Sequence, residues 1–191
     1  DRFINEFEFQ DTEDQVNVTS ELLFDLNSGF PMDRLICGDV GFGKTEVALR
    51  GAFNVAMSGS QVAFIVPTTL LCRQHYQNFT KRFHNFPLKI EQISRLNSTA
   101  ENNEIIERIN SGECDIVVGT HALLNNKIKF KKLGMLIIDE EQHFGVSQKE
   151  KIKSLRSNVH VLALTATPIP RTLQMSLVGL RDLSIISTAP L

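Results

Sequence analysis

The stretch GDVGFGKT, Gly38 to Thr45, limits what this chain can be more than any other part of it. It lies between the apolar run RLIC (34–37) and the amphipathic run EVALRGAFNVAM (46–57), so it reads as a strand, a tight loop and a helix. Gly38-x-x-x-x-Gly43-Lys44-Thr45 is the spacing of a loop that turns its backbone N–H groups inward around phosphate oxygens, which a Cβ would obstruct. A helix starting near Lys44 adds the positive end of its dipole. Lys44 is then predicted to reach the β- and γ-phosphates, and the Thr45 hydroxyl to sit on Mg²⁺. Through Gly38, Asp39, Val40, Gly41, Phe42, Gly43, Lys44, Thr45 and Glu46 the loop is expected to hold ATP.

A phosphate loop needs a parallel sheet, and the rest of the sequence supplies one. Short aliphatic runs at 34–37, 61–66, 88–93, 115–119, 135–139 and 160–165 alternate with helix-length stretches at 45–58, 69–83, 99–111 and 147–156. Most of the runs are continuously apolar, as befits strands covered on both faces. The alternation predicts a three-layer α/β/α domain with a mainly parallel sheet, whose ligands bind beyond the carboxyl ends of the strands. Residues 12–28 read as a further amphipathic helix, with Thr12 as N-cap and Gly29 as the stop. The expected division is a leader with that helix over 1–30 and the nucleotide-binding domain over 31–191. The run KIKFKK (127–132) suits an edge strand with its lysines in solvent better than a DNA-binding patch.

At the end of the predicted strand MLIID stand Asp139 and Glu140, about a hundred residues after the loop. Asp139 is predicted to hold Mg²⁺ through its water shell, and Glu140 to polarise the attacking water. His143 has no second histidine at ligand spacing, so it does not read as a metal ligand.

Charge is unevenly spread. Residues 1–33 carry nine acidic groups and one basic, whereas residues 34–191 carry thirteen acidic and nineteen basic. The body of the domain is therefore mildly basic, a balance that fits solvated faces or a nucleic-acid surface equally well. Cys37, Cys72 and Cys114 lie far apart, which favours reduced core thiols over a zinc site or a disulfide framework. No run is long and apolar enough to span a membrane, and the first residues show no secretory signal. A cytoplasmic protein is the expectation.

The phosphate loop, PTTLL (67–71), GTH (119–121), DEEQ (139–142) and TATPIPRT (165–172) together resemble motifs I, Ia, Ib, II and III of the superfamily 2 helicases and translocases, over nearly the whole chain. TATPIPRT narrows the resemblance to two relatives, the bacterial transcription-repair coupling factors and the fork-reversing recombination helicases. MDRLICGDVGFGKTEVALR, the SR at 94–95, DEEQ and RDLSII (181–186) are more similar to the coupling factors.

That resemblance implies the first RecA-like lobe of a double-stranded DNA translocase that displaces stalled RNA polymerase and hands damage to the excision-repair damage-recognition protein. It implies that FEFQDTEDQ (7–15) receives the adenine, with Gln15 on its edge and Phe7 or Phe9 on its face. Thr68, Thr69, Arg95, Gly119, Thr120 and His121 correspond to contacts with the backbone of one DNA strand, a grip that needs no base reading. Gln142, Thr165 and Thr167 correspond to the link between hydrolysis and the DNA face.

Ala122, Asn97 and His143 stand where the family often carries a basic residue, so a weaker, less salt-dependent grip on DNA is expected. The chain ends just past TATPIPRT, and the resemblance places the arginines that complete hydrolysis on a second lobe. Nucleotide binding with very slow turnover is therefore expected of this chain alone. The alternatives are the fork-reversing helicase, a nucleotide-binding module without turnover, and a small-molecule kinase. The kinase reading lacks an acceptor site and leaves PTTLL and TATPIPRT unexplained.

Overall fold

Unbroken aliphatic runs make the centre of the molecule, because only a strand with a helix layer on each face can bury them whole. The computed structural model describes residues 2–177 and 180–189. In chain order its elements are α1 (Arg2–Asn5), α2 (Glu13–Leu26), β1 (Asp33–Gly38), α3 (Lys44–Met57), β2 (Gln61–Ile65), α4 (Thr69–Arg82), β3 (Ile90–Ile93), α5 (Thr99–Ser111), β4 (Ile116–Gly119), β5 (Leu133–Asp139), α6 (Val146–Leu155), β6 (His160–Thr165), α7 (Arg171–Leu177) and β7 (Asp182–Ile186). The seven strands run in the order β3-β4-β2-β5-β6-β1-β7, every pairing parallel. This is the expected three-layer α/β/α architecture.

One face of the sheet packs Phe64, Ile137 and Leu162 against Phe3, Leu22 of α2, Val47 and Ala52 of α3, and Phe79 of α4. The other packs Ile65, Leu136 and Val161 against Ile105 and Ile109 of α5 and Ile152 of α6. The leader thus belongs to the main core. Two of its carboxylates hold buried arginines: Arg34 Nε donates to Asp25 at 2.7 Å, and Arg50 Nη2 to Asp11 at 2.7 Å. Such pairs hold α2 against β1 and α3 while keeping buried guanidinium groups satisfied.

One expectation needs correction. Residues 127–132 form no edge strand: they are an extended connection leading into β5, a central strand. The alternation is real, since Ile128 and Phe130 pack on the core while the lysines face solvent; the run meets the sheet at its end, where Lys132 O accepts from Gln61 N at 2.7 Å. The true edges are β3 and β7, and β7 has too short and too broken an apolar pattern to stand out. Cys37, Cys72 and Cys114 are all buried free thiols, with burial pushing Cys72 up to about 11 and Cys114 to about 12. Among the described residues no helix is long and apolar enough to cross a membrane.

Candidate nucleotide site and DNA face

The phosphate loop, PTT, SR, GTH, the acidic pair and TATP all lie at or just past the carboxyl end of a strand, and the strand order sorts them into two groups. The tips of β1, β5 and β6 bring together the phosphate loop, the acidic pair and TATP. The tips of β2, β4 and β3 carry PTT, GTH and SR.

The phosphate loop runs from β1 into α3 through Gly41 (φ +81°) and Gly43 (φ +85°), backbone angles that a side chain would strain. Helices α2, α4 and α5 are each capped by a hydroxyl, from Thr12, Thr68 and Ser98. Helix α3 begins at Gly43 with no side-chain cap. Its first N–H groups are left without a side-chain acceptor at the mouth of the loop, where an anion satisfies them. Lys44 Nζ lies across the same mouth, donating to the carbonyls of Gly38 and Asp39. Burial lowers the Lys44 ammonium, and Asp139 and Glu140 oppose that shift.

Asp139 closes β5, and its carboxyl is pushed up to about 6, first by burial and then by the charge of Glu140, with Lys44 and His143 pulling it down. Such a group favours a cation nearby, which removes the cost of holding the charge. Among the described residues no cluster of three or more His, Cys, Asp or Glu could hold a metal. Asp139 with the Thr45 hydroxyl suits Mg²⁺, an ion commonly held by one or two protein oxygens together with water and phosphate.

Glu140 is the one non-glycine residue among those described with positive φ, at +53°. That backbone persists because its surroundings fix it. Glu140 N–H donates to Leu164 O at 2.9 Å, its Oε1 accepts from Ala166 N at 2.8 Å, and its Oε2 accepts from Thr165 Oγ1 at 3.1 Å. Next to it, Glu141 accepts from Arg156 at 2.7 Å and Arg181 at 3.4 Å, and both arginines also pair with Asp33. Strain of about 1–3 kcal/mol, fixed in this way, is common where a side chain must be aimed.

Gln142, Thr165 and Thr167 do come together. Gln142 Nε2 donates to Glu140 Oε2 and, at 3.5 Å, to Thr167 Oγ1; Thr167 N donates to Thr165 Oγ1 at 3.1 Å. Cys37 Sγ donates to Thr167 O at 3.2 Å, joining this loop to the strand that ends in the phosphate loop.

Other residues are placed differently from the sequence expectation. Gln15 is fully buried: its Oε1 accepts from Thr12 N in a capping box, and a Cβ on Gly43 would fall 1.9 Å from its Nε2. Its Nε2 packs against Gly43 and has no hydrogen-bond partner among the described residues. Glu46 turns away from the phosphate site, because Arg50 Nε (3.2 Å) and Arg82 Nε (3.1 Å) bind its buried carboxylate. Gly119 is buried within β4, and its carbonyl accepts from Val66 N at 2.9 Å. Its need for glycine is packing: a Cβ would stand 2.6 Å from Leu123 Cγ.

Phe7 lies under the guanidinium groups of Arg50 (5.3 Å) and Arg82 (5.8 Å), whereas Phe9 is 63% exposed. Both line a cavity of about 970 Å³ between residues 6–9 and α4, with Tyr76, Lys81 and Asn85 on its other wall.

On the second group of tips Thr68, Arg95, His121 and Ala122 are exposed, and Thr69 and Thr120 half-buried. Thr68 and Thr120 already accept from Leu71 N (3.2 Å) and Ala122 N (3.5 Å), bonds that aim the hydroxyls without using up their protons. Asn97, one of the positions short of a charge, donates to Gln92 O and Asn102 Oδ1, both at 3.0 Å, and so braces the loop after β3.

The sequence reading missed His75, on α4. Its Nε2 lies 3.9 Å from Asp139 Oδ2, and burial lowers its pKa. No local spacing signals this, because the approach depends on β2 and β5 being neighbours.

The DEAD/DEAH box helicase family matches residues 12–176. The transcription-repair-coupling factor of Rickettsia prowazekii is 57% identical over 195 residues, covering all of this chain and 17% of that protein. That of Escherichia coli is 54% identical, covering 98% of this chain and 16% of that protein. The chain spans about a sixth of the length of these relatives, from those 17% and 16% shares. Among solved structures, RecG bound to a three-way DNA junction matches 99% of this chain and 25% of its own, with TM-score 0.85 and 34% identity. The Hef helicase domain of Pyrococcus furiosus matches 91% of this chain and 38% of its own at TM-score 0.68 and 22% identity, a likeness of fold. Since the matched span takes in the phosphate loop, the acidic strand tip and the threonines beside it, the chain belongs to the DEAD/DEAH box helicase family and has its RecA-like motor fold.

Proposed function

We propose that this chain is the ATP-binding lobe of a DNA-dependent ATPase and double-stranded DNA translocase, acting in the cytoplasm within a protein of the transcription-repair-coupling type. The observation that carries the reading is the convergence of an uncapped α3 terminus, Lys44 and the Asp139–Glu140 pair on adjoining strand tips. Lys44 and the N–H groups of the loop bind the phosphates. Thr45 and Asp139 hold Mg²⁺, which when bound neutralises phosphate charge. Glu140, aimed by Thr165 and Ala166, orients the attacking water and takes its proton. Phe9 offers its open face to the adenine, and Gln15 acts from beneath the loop.

Gln142, Thr165 and Thr167 relay the state of that site toward Thr68, Thr69, Arg95, Thr120 and His121, which grip one strand through its phosphates. In the complete protein, cycles of closure on duplex DNA move the motor along it and push a stalled RNA polymerase forward, and the excision-repair damage-recognition protein is the downstream partner. The identity of 54% to a coupling factor against 34% to RecG favours this over fork reversal.

Calorimetry of the folded chain with ATP and Mg²⁺ tests the reading. Binding is expected, and Lys44→Ala is expected to weaken it about 30-fold or more, the usual cost of removing one partner of a buried charge pair. No uptake by folded wild-type protein would sink the proposal.

A further inference from the structure

We propose that His75 is a positioning residue for the magnesium site: its Nε2–H holds Asp139 Oδ2, so that Oδ1 is the oxygen presented to the cation and its water. The inference rests on the nucleotide-site reading above and adds a residue to it.

The ring is held from two sides. Helix α4 packs over β2, and His75 lies between Phe64 of that strand (ring centroids 5.2 Å apart) and Phe79 one turn further along α4 (5.4 Å). Phe64 pairs in register with Ile137 of β5, two residues before Asp139, so the sheet brings the carboxylate to the edge of the imidazole. The two ring nitrogens then meet different surroundings. Among the described residues Nδ1 is buried with no hydrogen-bond partner, while Nε2 faces Asp139 Oδ2 at 3.9 Å.

A neutral imidazole carries one N–H, and here the choice is lopsided. A proton on Nδ1 would bury an unpaired donor and turn a bare lone pair toward a carboxylate oxygen. A proton on Nε2 faces an acceptor, and a movement of about 1 Å brings the pair to hydrogen-bond length. The aromatic clamp leaves the ring little other freedom, so it constrains the carboxylate in turn. Partners of this kind, one step removed from a metal, typically affect metal affinity about 10–100-fold.

The competing account makes His75 a filler between two phenylalanines. His75→Phe separates the accounts, because it keeps a ring in the clamp and removes both nitrogens. If the histidine only fills space, the substitution leaves the Mg²⁺ requirement unchanged. If it positions Asp139, the substitution raises the Mg²⁺ concentration for half-maximal ATP binding about 10-fold, with affinity for ATP in excess chelator unaltered. His75→Gln, which returns an N–H donor, is expected to recover part of the loss.

Nitrogen-15 NMR of labelled histidine in the wild-type chain gives an independent readout and should show the proton on Nε2. An unchanged Mg²⁺ midpoint in His75→Phe, or a proton on Nδ1, overturns the inference. Failure of the wild-type chain to take up ATP overturns the underlying reading instead, and the NMR result then still decides the His75–Asp139 contact.

Discussion

The two halves of the sheet's carboxyl edge are built to different standards. Around β1, β5 and β6 the functional side chains are mostly half-buried and tied to one another: Glu140 alone takes part in bonds to Leu164, Ala166, Thr165 and Gln142. Around β2, β4 and β3, Thr68, Arg95 and His121 stand in solvent and Thr69 and Thr120 are half-buried, and the bonds of Thr68 and Thr120 are short-range caps to their own loops. Chemistry on a phosphoryl group requires atoms fixed to fractions of an ångström before the substrate arrives. A grip on a repeating phosphate backbone needs only donors and charge within reach. The difference teaches that one half is organised in advance and the other adapts to its partner, and it can be tested at both ends.

The largest effect is expected at Glu140. Glu140→Gln keeps the shape and most of the packing around the left-handed backbone but removes the proton acceptor. In a protein that carries the second lobe, single-turnover hydrolysis should fall by about 10²–10⁴-fold, with ATP affinity within a few-fold of wild type. Full activity in this variant would remove the water-activating role and, with it, the reason for the rigid half.

Gly119 tests where the boundary between the halves runs. Although it stands in the GTH motif, a Cβ there would lie 2.6 Å from Leu123 Cγ and 3.1 Å from the Ile93 carbonyl oxygen. Gly119→Ala is therefore expected to cost about 1–3 kcal/mol by overpacking, visible as a lower melting temperature. A variant that melts like wild type yet loses DNA affinity would return Gly119 to the DNA face and blur the comparison.

Much of this organisation was legible in the sequence. Six of the seven strands announce themselves as aliphatic runs, and the phosphate loop and the acidic tip follow from spacing and context. What was hidden depends on apposition. β7 carries an alternating, half-exposed pattern that resembles a loop. Glu46 reads as part of the phosphate grip until Arg50 and Arg82 are seen around its carboxylate, and the packing of Gln15 against Gly43 has no local signature. His75 carries no signal at all, because its meaning comes from a neighbouring strand about sixty positions further on. Local pattern predicts elements; it does not predict which side chains two elements bring face to face.

Asp139 gives a measure of the strain held in the organised half. Its folded-state value of about 6 lies above the ordinary carboxylate value of 3.8, so the folded chain binds the proton more tightly than the unfolded chain between these pH values. Stability is then lost as pH rises through that window, and the loss is complete above it. Asp139→Asn, neutral throughout, should be more stable than wild type at pH 8 by about 1–2 kcal/mol after allowance for solvent screening. The two should converge below about pH 4. Denaturant unfolding with a chelator present reads this directly, and a pH-independent difference would mean that burial of the charge is not the cause.

The smallest effect belongs to the adaptable half. Ala122 is exposed beside His121. Because its side chain stands in solvent, Ala122→Lys should leave the melting temperature and ATP affinity untouched while adding one cation to the DNA face. If that face binds by phosphate contacts alone, log affinity against log salt should steepen by about 0.9 of a unit, and affinity at low salt should rise several-fold for any duplex sequence. A gain limited to one sequence would point to base reading at this loop. An unchanged slope would mean that DNA passes elsewhere, and the exposed tips of β2 and β4 would then need another explanation for standing uncovered.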